Sequence, residues 1–417
     1  MKPNNKISFI FFIVVTITSM TLVGLLLVVT TGIQLNLIEV KLGTSTNSRL
    51  LVNVLPVNST VYVDGKQVGV TPLALNVMPG NHTVRIEKQN HITYEIKINA
   101  KSNEDFVVEY ELLHTPTIEN VSFNAMMPKW SNGDSLVFVS LDDGKLYQSS
   151  LLELKALVDD TLDAVFEISV SPQGEAISIM KSTGYSFHAS ILFLTDGSFQ
   201  NIGFGGALPA WLPANQSFYF LGWKEGDSVR SFDGFHLWSS QPGGELNIVN
   251  LPQIENAAGA ISTAWSADGQ YFMAVSDNFV DIWKFDGATF TYLRRIDPSY
   301  GAIWAPFGNQ LAYAQSDRSI YTITEMQGSI SPKLLISNAT PPLGWMPDGK
   351  QIVFTAYYPS EGGSSFWAVD VQTSARTLLA DSSLILGRVT DFAISPDGTR
   401  IAYTNDLNHL NILFIGE

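Results

Sequence analysis

Ile394-Ser395-Pro396-Asp397-Gly398-Thr399-Arg400-Ile401-Ala402 is the stretch that decides the fold, because it is one copy of a turn that the chain repeats. Trp345-Met346-Pro347-Asp348-Gly349-Lys350-Gln351-Ile352-Val353 and Trp265-Ser266-Ala267-Asp268-Gly269-Gln270-Tyr271-Phe272-Met273 have the same layout. Looser copies begin at Trp130, Val170, Trp211 and Trp304, so successive first residues lie 40, 41, 54, 39, 41 and 49 apart. In each copy an apolar strand runs into a turn of Pro, Asp or Asn and Gly, and an alternating strand leaves it. Pro sets φ near −65° and Gly supplies positive φ, so the chain reverses antiparallel.

A period of about 40–50 residues is that of a four-stranded propeller blade. A third strand follows in every copy, most clearly in such stretches as Val280–Trp283, Ile320–Ile323 and Phe366–Val369, and a fourth can be drawn at Lys333–Ile336. The last copy runs out after its third strand, Ile412–Ile415, while Thr117–Val121 is a spare strand upstream of the first. Lending that piece to the final blade would close the ring and hide its edges. The expected count is seven blades, with six as the alternative.

This turn repeat resembles the WD-like propeller repeat of TolB over residues 114–417, most closely at Ser395–Ala402 and Trp345–Val353. The copies at Val170, Trp211 and Trp304 replace the Asp or Gly and rest on spacing.

Upstream, residues 49–113 alternate apolar and polar residues between turns, at Leu50–Val54, Val61–Val63, Thr83–Glu87, Tyr94–Ile98 and Phe106–Tyr110, which predicts a small β domain. Asp64-Gly65 suits a tight hairpin. Val61-Tyr62-Val63-Asp64-Gly65-Lys66, Gly69, Thr71-Pro72 and Pro79-Gly80-Asn81-His82-Thr83-Val84 resemble the PEGA domain of bacterial and archaeal surface proteins. The resemblance implies an extracytoplasmic β module without catalysis. Asp64 and His82 are read as turn and strand residues rather than ligands.

No charge occurs from Ile7 to Ile33, long enough to cross a ~30 Å hydrocarbon core. Lys2 and Lys6 precede this run and Glu39 is the first charge after it, which orients residues 1–6 to the cytoplasm and the bulk of the chain outside. The expectation is a transmembrane anchor at 7–33, a tether at 34–48 and a single-pass membrane protein. A cleaved signal peptide is the competing reading.

The chain has 417 residues, 45% hydrophobic and 15% charged, with a net charge of −15 and no cysteine. Such acidity excludes a nucleic-acid binder, which needs a basic footprint. Without cysteine there is no disulfide, thiolate metal site or cysteine nucleophile. The sequence contains no G-x-S-x-G, H-E-x-x-H, phosphate-loop or EF-hand pattern. Gly203-Phe204-Gly205-Gly206 begins like a dinucleotide fingerprint but has Leu208 where a third Gly belongs, and reads as a flexible loop.

No catalytic residue, cofactor or metal is therefore assigned. Five of the nine tryptophans, at 130, 211, 265, 304 and 345, recur at one repeat position and are read as packing between blades. The long spacings place insertions in the loops between second and third strands, on the face that also carries the blade-to-blade links. Tyr185, Trp223, Lys224, Phe232, Phe235, Tyr357 and Tyr358 are the candidate binding residues there. The expectation is non-catalytic binding or scaffolding of an envelope protein or wall polymer. The alternative is a carbohydrate-active hydrolase or lyase working in the propeller's funnel.

Overall fold

The computed structural model describes residues 48–112, 114–131, 135–149, 154–157, 164–182, 187–214, 217–224, 234–297, 299, 301–324, 326, 331–337 and 339–416. These divide into two compact units, 48–86 with 94–111, and 87–93 with 112–416.

The smaller unit is two sheets. One places Ser48–Leu55 between Leu73–Val77 and Asp105–Glu111, pairing antiparallel with the first and parallel with the second. The other is ordered Lys66–Val70, Thr60–Val63, Gly80–Glu87, Tyr94–Ala100. Alternation does the sorting: Leu50, Val52 and Val54 are buried while Arg49, Asn53 and Leu55 face water. Asp64 and Gly65 both take positive φ, 51° and 77°, as a two-residue hairpin of mirror-image twist requires.

The Asp64 carboxylate accepts from the Thr83 amide at 2.9 Å and from His82 Nδ1 at 2.6 Å, and His82 Nε2 donates to the Met78 carbonyl at 2.7 Å. Both ring nitrogens donate, so the imidazolium is the favoured form. These bonds tie the hairpin turn to the next strand, in keeping with a structural role for both residues.

The larger unit contains seven four-stranded blades among the described residues. Their innermost strands are Thr117–Trp130 (its second half), Val165–Val170, Ala210–Trp211, Ser262–Trp265, Ala302–Trp304, Thr340–Trp345 and Val389–Ile394. Blade five shows the plan, with Ala302–Trp304, Leu311–Ala314, Ile320–Ile323 and Lys333–Ile336 antiparallel in sequence order. Thr117–Trp130 serves two blades. Its first half completes blade seven by pairing Thr117, Ile118 and Glu119 with Phe414, Leu413 and Ile412, and its second half starts blade one against Leu136–Ser140. This is the closure expected of the spare strand, and it joins blades one and seven into one seven-stranded sheet.

The expected fold class is corrected in two respects. The segment 7–33 lies outside the described residues, and among the described residues no helix is long and apolar enough to cross a membrane. The helix that is described is a short 3-10 turn at Ile254–Ala257. Among the described residues the fold is all-β, and no helix there supports the expected single-pass membrane location. No sheet closes on itself either, and the blades are not seven separate sheets.

Blades two and three also merge, because Gly203 and Phe204 pair with Lys224 and Trp223. Gly203–Gly206 is therefore a strand end in close packing, not the flexible loop expected of it. A Cβ on Gly206 would lie 1.6 Å from the Leu221 carbonyl oxygen, so only glycine lets the two backbones approach.

Each core lies between neighbouring blades. Leu311 and Tyr313 of blade five pack with Met273 and Ile282 of blade four, and Ala312 and Ile320 pack with Ile352 and Phe354 of blade six. Ala402 and Leu410 of blade seven meet Leu136 and Phe138 of blade one. The recurrent indoles stitch the same seams. Trp304 Nε1 donates to the Ala264 carbonyl at 3.4 Å, Trp345 to Ile303 at 3.2 Å, and Trp130 to Ala393 at 3.0 Å. Trp265 instead packs edge-on against Tyr219, with ring centroids 4.8 Å apart.

The turns are held as their residues predict. Ser395 Oγ donates to Asp397 at 2.5 Å and accepts from the Arg400 amide at 2.9 Å, while Gly398 takes φ 75°. Burial works against the charge of Asp397, but bonds from Ser395 and Thr399 and the nearby Arg400 outweigh it and bring the carboxyl down to about 2.

Blade four has one buried ion pair. Asp281 is fully enclosed and accepts from Arg295 Nε at 3.1 Å, from the other guanidinium nitrogen at 2.7 Å, and from the Tyr292 hydroxyl at 2.9 Å. Burial, then the bond to Asp281, pushes the Tyr292 hydroxyl up to about 12.

Two measurements check this account. Asp281→Asn should lower the unfolding free energy by about 1–3 kcal/mol in chemical denaturation, since it removes the charge-assisted bonds of Asp281 while Arg295, about one-third exposed, stays partly solvated. In the smaller unit, the Asp64 bond and then the Met78 carbonyl raise His82 above 6.5, while His82 and then the Thr83 amide lower Asp64 below 3.8. The His82 contribution is complete below its unfolded value and is lost as pH rises through its raised folded value. That of Asp64 is complete above its unfolded value and is lost as pH falls through its lowered one. The bond therefore stabilises most between roughly pH 4 and 6.5. NMR titration should place the His82 midpoint above 6.5, and Asp64→Asn should return it toward that value.

Candidate functional site

The innermost strands leave an axial channel. Its wider mouth has a volume of about 810 Å³ and is lined by the starts of these strands, at Ser262, Ala302, Leu343 and Asp391, and by the loops at Ser276-Asp277 and Gln315-Ser316. These loops follow the second strands, so the mouth opens on the face to which the sequence assigns its insertions. The other end, about 580 Å³, is lined by the strand ends at Trp130, Trp265 and Trp304 and by Pro396. Lys129, Glu167, Ser262, Ala302 and Ile303 line both cavities and mark the middle of the channel.

Charge concentrates there. Lys129 Nζ lies 3.3 Å from the Asp391 carboxylate, each side chain a little under one-third exposed. Glu167 sits on the blade-two strand, and no described residue donates a hydrogen bond to its carboxyl. Burial raises Glu167 to about 7, the Asp391 charge adding to the effect and Lys129 opposing it. The mouth adds Asp277, Arg318 and Arg388. Among the described residues no group of three His, Asp or Glu side chains is arranged to hold a metal ion.

The anticipated binding residues are placed differently from one another. Tyr185 and Phe232 lie outside the described residues. Phe235 is buried, with its ring 4.7 Å from Trp223, and both pack on the seam between blades three and four. Trp223 also stacks on Phe204 at 6.2 Å. Lys224 is exposed at the end of its strand. Tyr357 and Tyr358 are exposed on the long hairpin of blade six, 39% and 36%. None of these described residues lines the channel.

Sequence reasoning passed over Lys129, Glu167 and Asp391. A signal existed, since Glu167 and Asp391 each stand three residues before the aligned positions Val170 and Ile394, where the other copies have Met127, Leu208, Ser262, Gly301 and Pro342. A charge recurring inside an otherwise apolar inner strand marks the axis.

Comparisons with known proteins agree with this fold. Residues 47–116 match the PEGA domain family. In fold the chain is similar to a chain of the mitotic checkpoint complex, at TM-score 0.52 and 15% identity, covering 72% of this chain and 95% of that one. It is similar to a streptogramin B lyase structure, at TM-score 0.51 and 14% identity, covering 72% and 98%. The β-propeller domain of Cps50 (Swd1) from Myceliophteria thermophila gives 0.51 and 13%, covering 72% and 99%. In sequence the chain is 30% identical over 132 residues to Protein HIR1 of Cryptococcus neoformans var. neoformans, covering 28% of this chain. It spans only 14% of that relative's length. The class is thus an all-β protein that pairs a PEGA-matching unit with a propeller-like one.

The charge cluster makes a direct prediction. Glu167 should titrate near pH 7 by carboxyl NMR, Lys129→Met should move its midpoint up, and Asp391→Asn should move it down.

Proposed function

We propose that the larger unit is a non-catalytic binding platform whose partner docks at the wide mouth of the channel. The observation that carries this is the open, mixed-charge rim of Asp277, Arg318 and Arg388 around a cavity of about 810 Å³. Rims of both signs favour orientation of a complementary surface and on-rate over bulk affinity. Of the anticipated partners, an envelope protein suits this rim better than a wall polymer. Sugar binding calls for aromatic faces exposed at the site, and Trp223 and Phe235 are taken up by the core while the exposed Tyr357 and Tyr358 do not line the channel. The PEGA-matching unit and the similarity to a chain of the mitotic checkpoint complex support a binding role, the latter through the fold alone.

One observation favours a second reading, a hydrolase or lyase in the funnel. Glu167 and Asp391 flank Lys129 in one channel, with Glu167 half-protonated at neutrality, and glycoside chemistry uses one protonated and one ionised carboxyl.

Affinity capture from extract of the source cells, with proteins identified by mass spectrometry, tests the platform. Arg318→Glu with Arg388→Glu should reduce recovery of a defined protein by about tenfold or more, equivalent to about 1.4 kcal/mol. Phe307→Ala, in the turn at the opposite end of blade five, should leave recovery unchanged. Loss with Phe307→Ala and retention with the double reversal would refute the assignment of the face.

A further inference from the structure

We propose that the channel receives a cationic group of its ligand, a primary ammonium or guanidinium on a peptide side chain, which pairs with Glu167 at mid-channel. This rests on the reading of the wide mouth as the binding surface.

The charges at mid-channel do not balance by pairs. Two carboxylates, Glu167 and Asp391, face one ammonium, and Lys129 is already committed to Asp391 at 3.3 Å. Glu167 receives no hydrogen bond from any described residue, although it lines the channel at both its wide and its narrow end. A desolvated carboxylate without a partner is costly, so the group keeps its proton near neutrality. The charged groups facing it are Lys129 from blade one and Asp391 from blade seven. Asp277, Arg318 and Arg388 stand at the mouth, and the neighbouring blade three contributes the apolar Leu208. An entering ammonium or guanidinium supplies both the missing charge and the missing donors.

The walls suit such a side chain. Ala302, Ile303 and Ser262 leave room for an aliphatic stem below the charged rim, and the cavity volumes fall within the ~300–1,000 Å³ usual for ligand sites. The proton balance is simple. The ligand cation enters with its own protons, the Glu167 carboxylic acid becomes a carboxylate, and its proton goes to solvent.

The probe is the peptide N-acetyl-Gly-Lys-Gly-amide, titrated calorimetrically into the full chain at pH 6, 7 and 8, in buffers of unlike ionisation enthalpy. Affinity should rise about tenfold from pH 6 to pH 8, as expected for loss of one proton with a midpoint near 7. The acetyl-lysine peptide should bind at least tenfold more weakly, and Glu167→Gln should abolish the pH dependence. In the unsubstituted protein the Glu167 carboxyl signal should move to a lower midpoint when the lysine peptide is added, a readout that does not depend on any variant folding. Absence of binding at pH 8, or an unchanged pH slope in Glu167→Gln, overturns the inference. If the peptide fails while the Arg318/Arg388 reversal still releases the partner, the cation assignment falls and the platform stands. If the peptide behaves as expected while that reversal leaves the partner bound, the platform reading falls alone.

Discussion

Among the described residues of the larger unit, each hydrophobic core forms where two blades meet. Met273 and Ile282 are covered by Leu311 and Tyr313, and Ala312 and Ile320 by Ile352 and Phe354. A single four-stranded sheet exposes two faces to water, and burying both requires a neighbour on each side. The ring follows from that requirement. Its last seam, between blades seven and one, needs the double service of Thr117–Trp130, which supplies the outer strand of one blade and the inner strand of the other.

The same constraint creates the channel. When each blade turns its faces to its neighbours, its innermost strand is left pointing an edge at the axis. Indole bonds from Trp130, Trp304 and Trp345 to carbonyls of the preceding blade fix the spacing of those strands. Side chains three residues ahead of the aligned position then project together, which is how Glu167 and Asp391 come to share one space with Lys129 although they are far apart in the chain. Function, on this reading, uses a part of the fold where burial is incomplete.

Much of the fold is legible in order of residues. The spacing of the Pro-Asp-Gly turns marks the blades, and the incomplete last copy together with Thr117–Val121 indicates the closure. The site was much less legible. Phe235 and Trp223 look like loop aromatics in sequence, yet they fill the seam between blades three and four. Gly203–Gly206 looks like slack chain, yet its glycines are demanded by the Leu221 and Trp223 carbonyls passing alongside. In both cases the deciding neighbour belongs to another blade, and no local pattern reports it.

What the sequence determined by itself is whatever depends on near neighbours: strand alternation, the φ demands of Pro and Gly at each turn, and the side-chain bonds from Asp397 and Ser395 that close those turns. What only the tertiary structure decided is which side chains converge. Parallel pairing of Ser48–Leu55 with Asp105–Glu111, the merging of blades two and three, and the meeting of Lys129, Glu167 and Asp391 all join residues distant in sequence. Their energies come from burial and from charges placed close together in poorly solvated space, and both exist only once distant parts of the chain have come together.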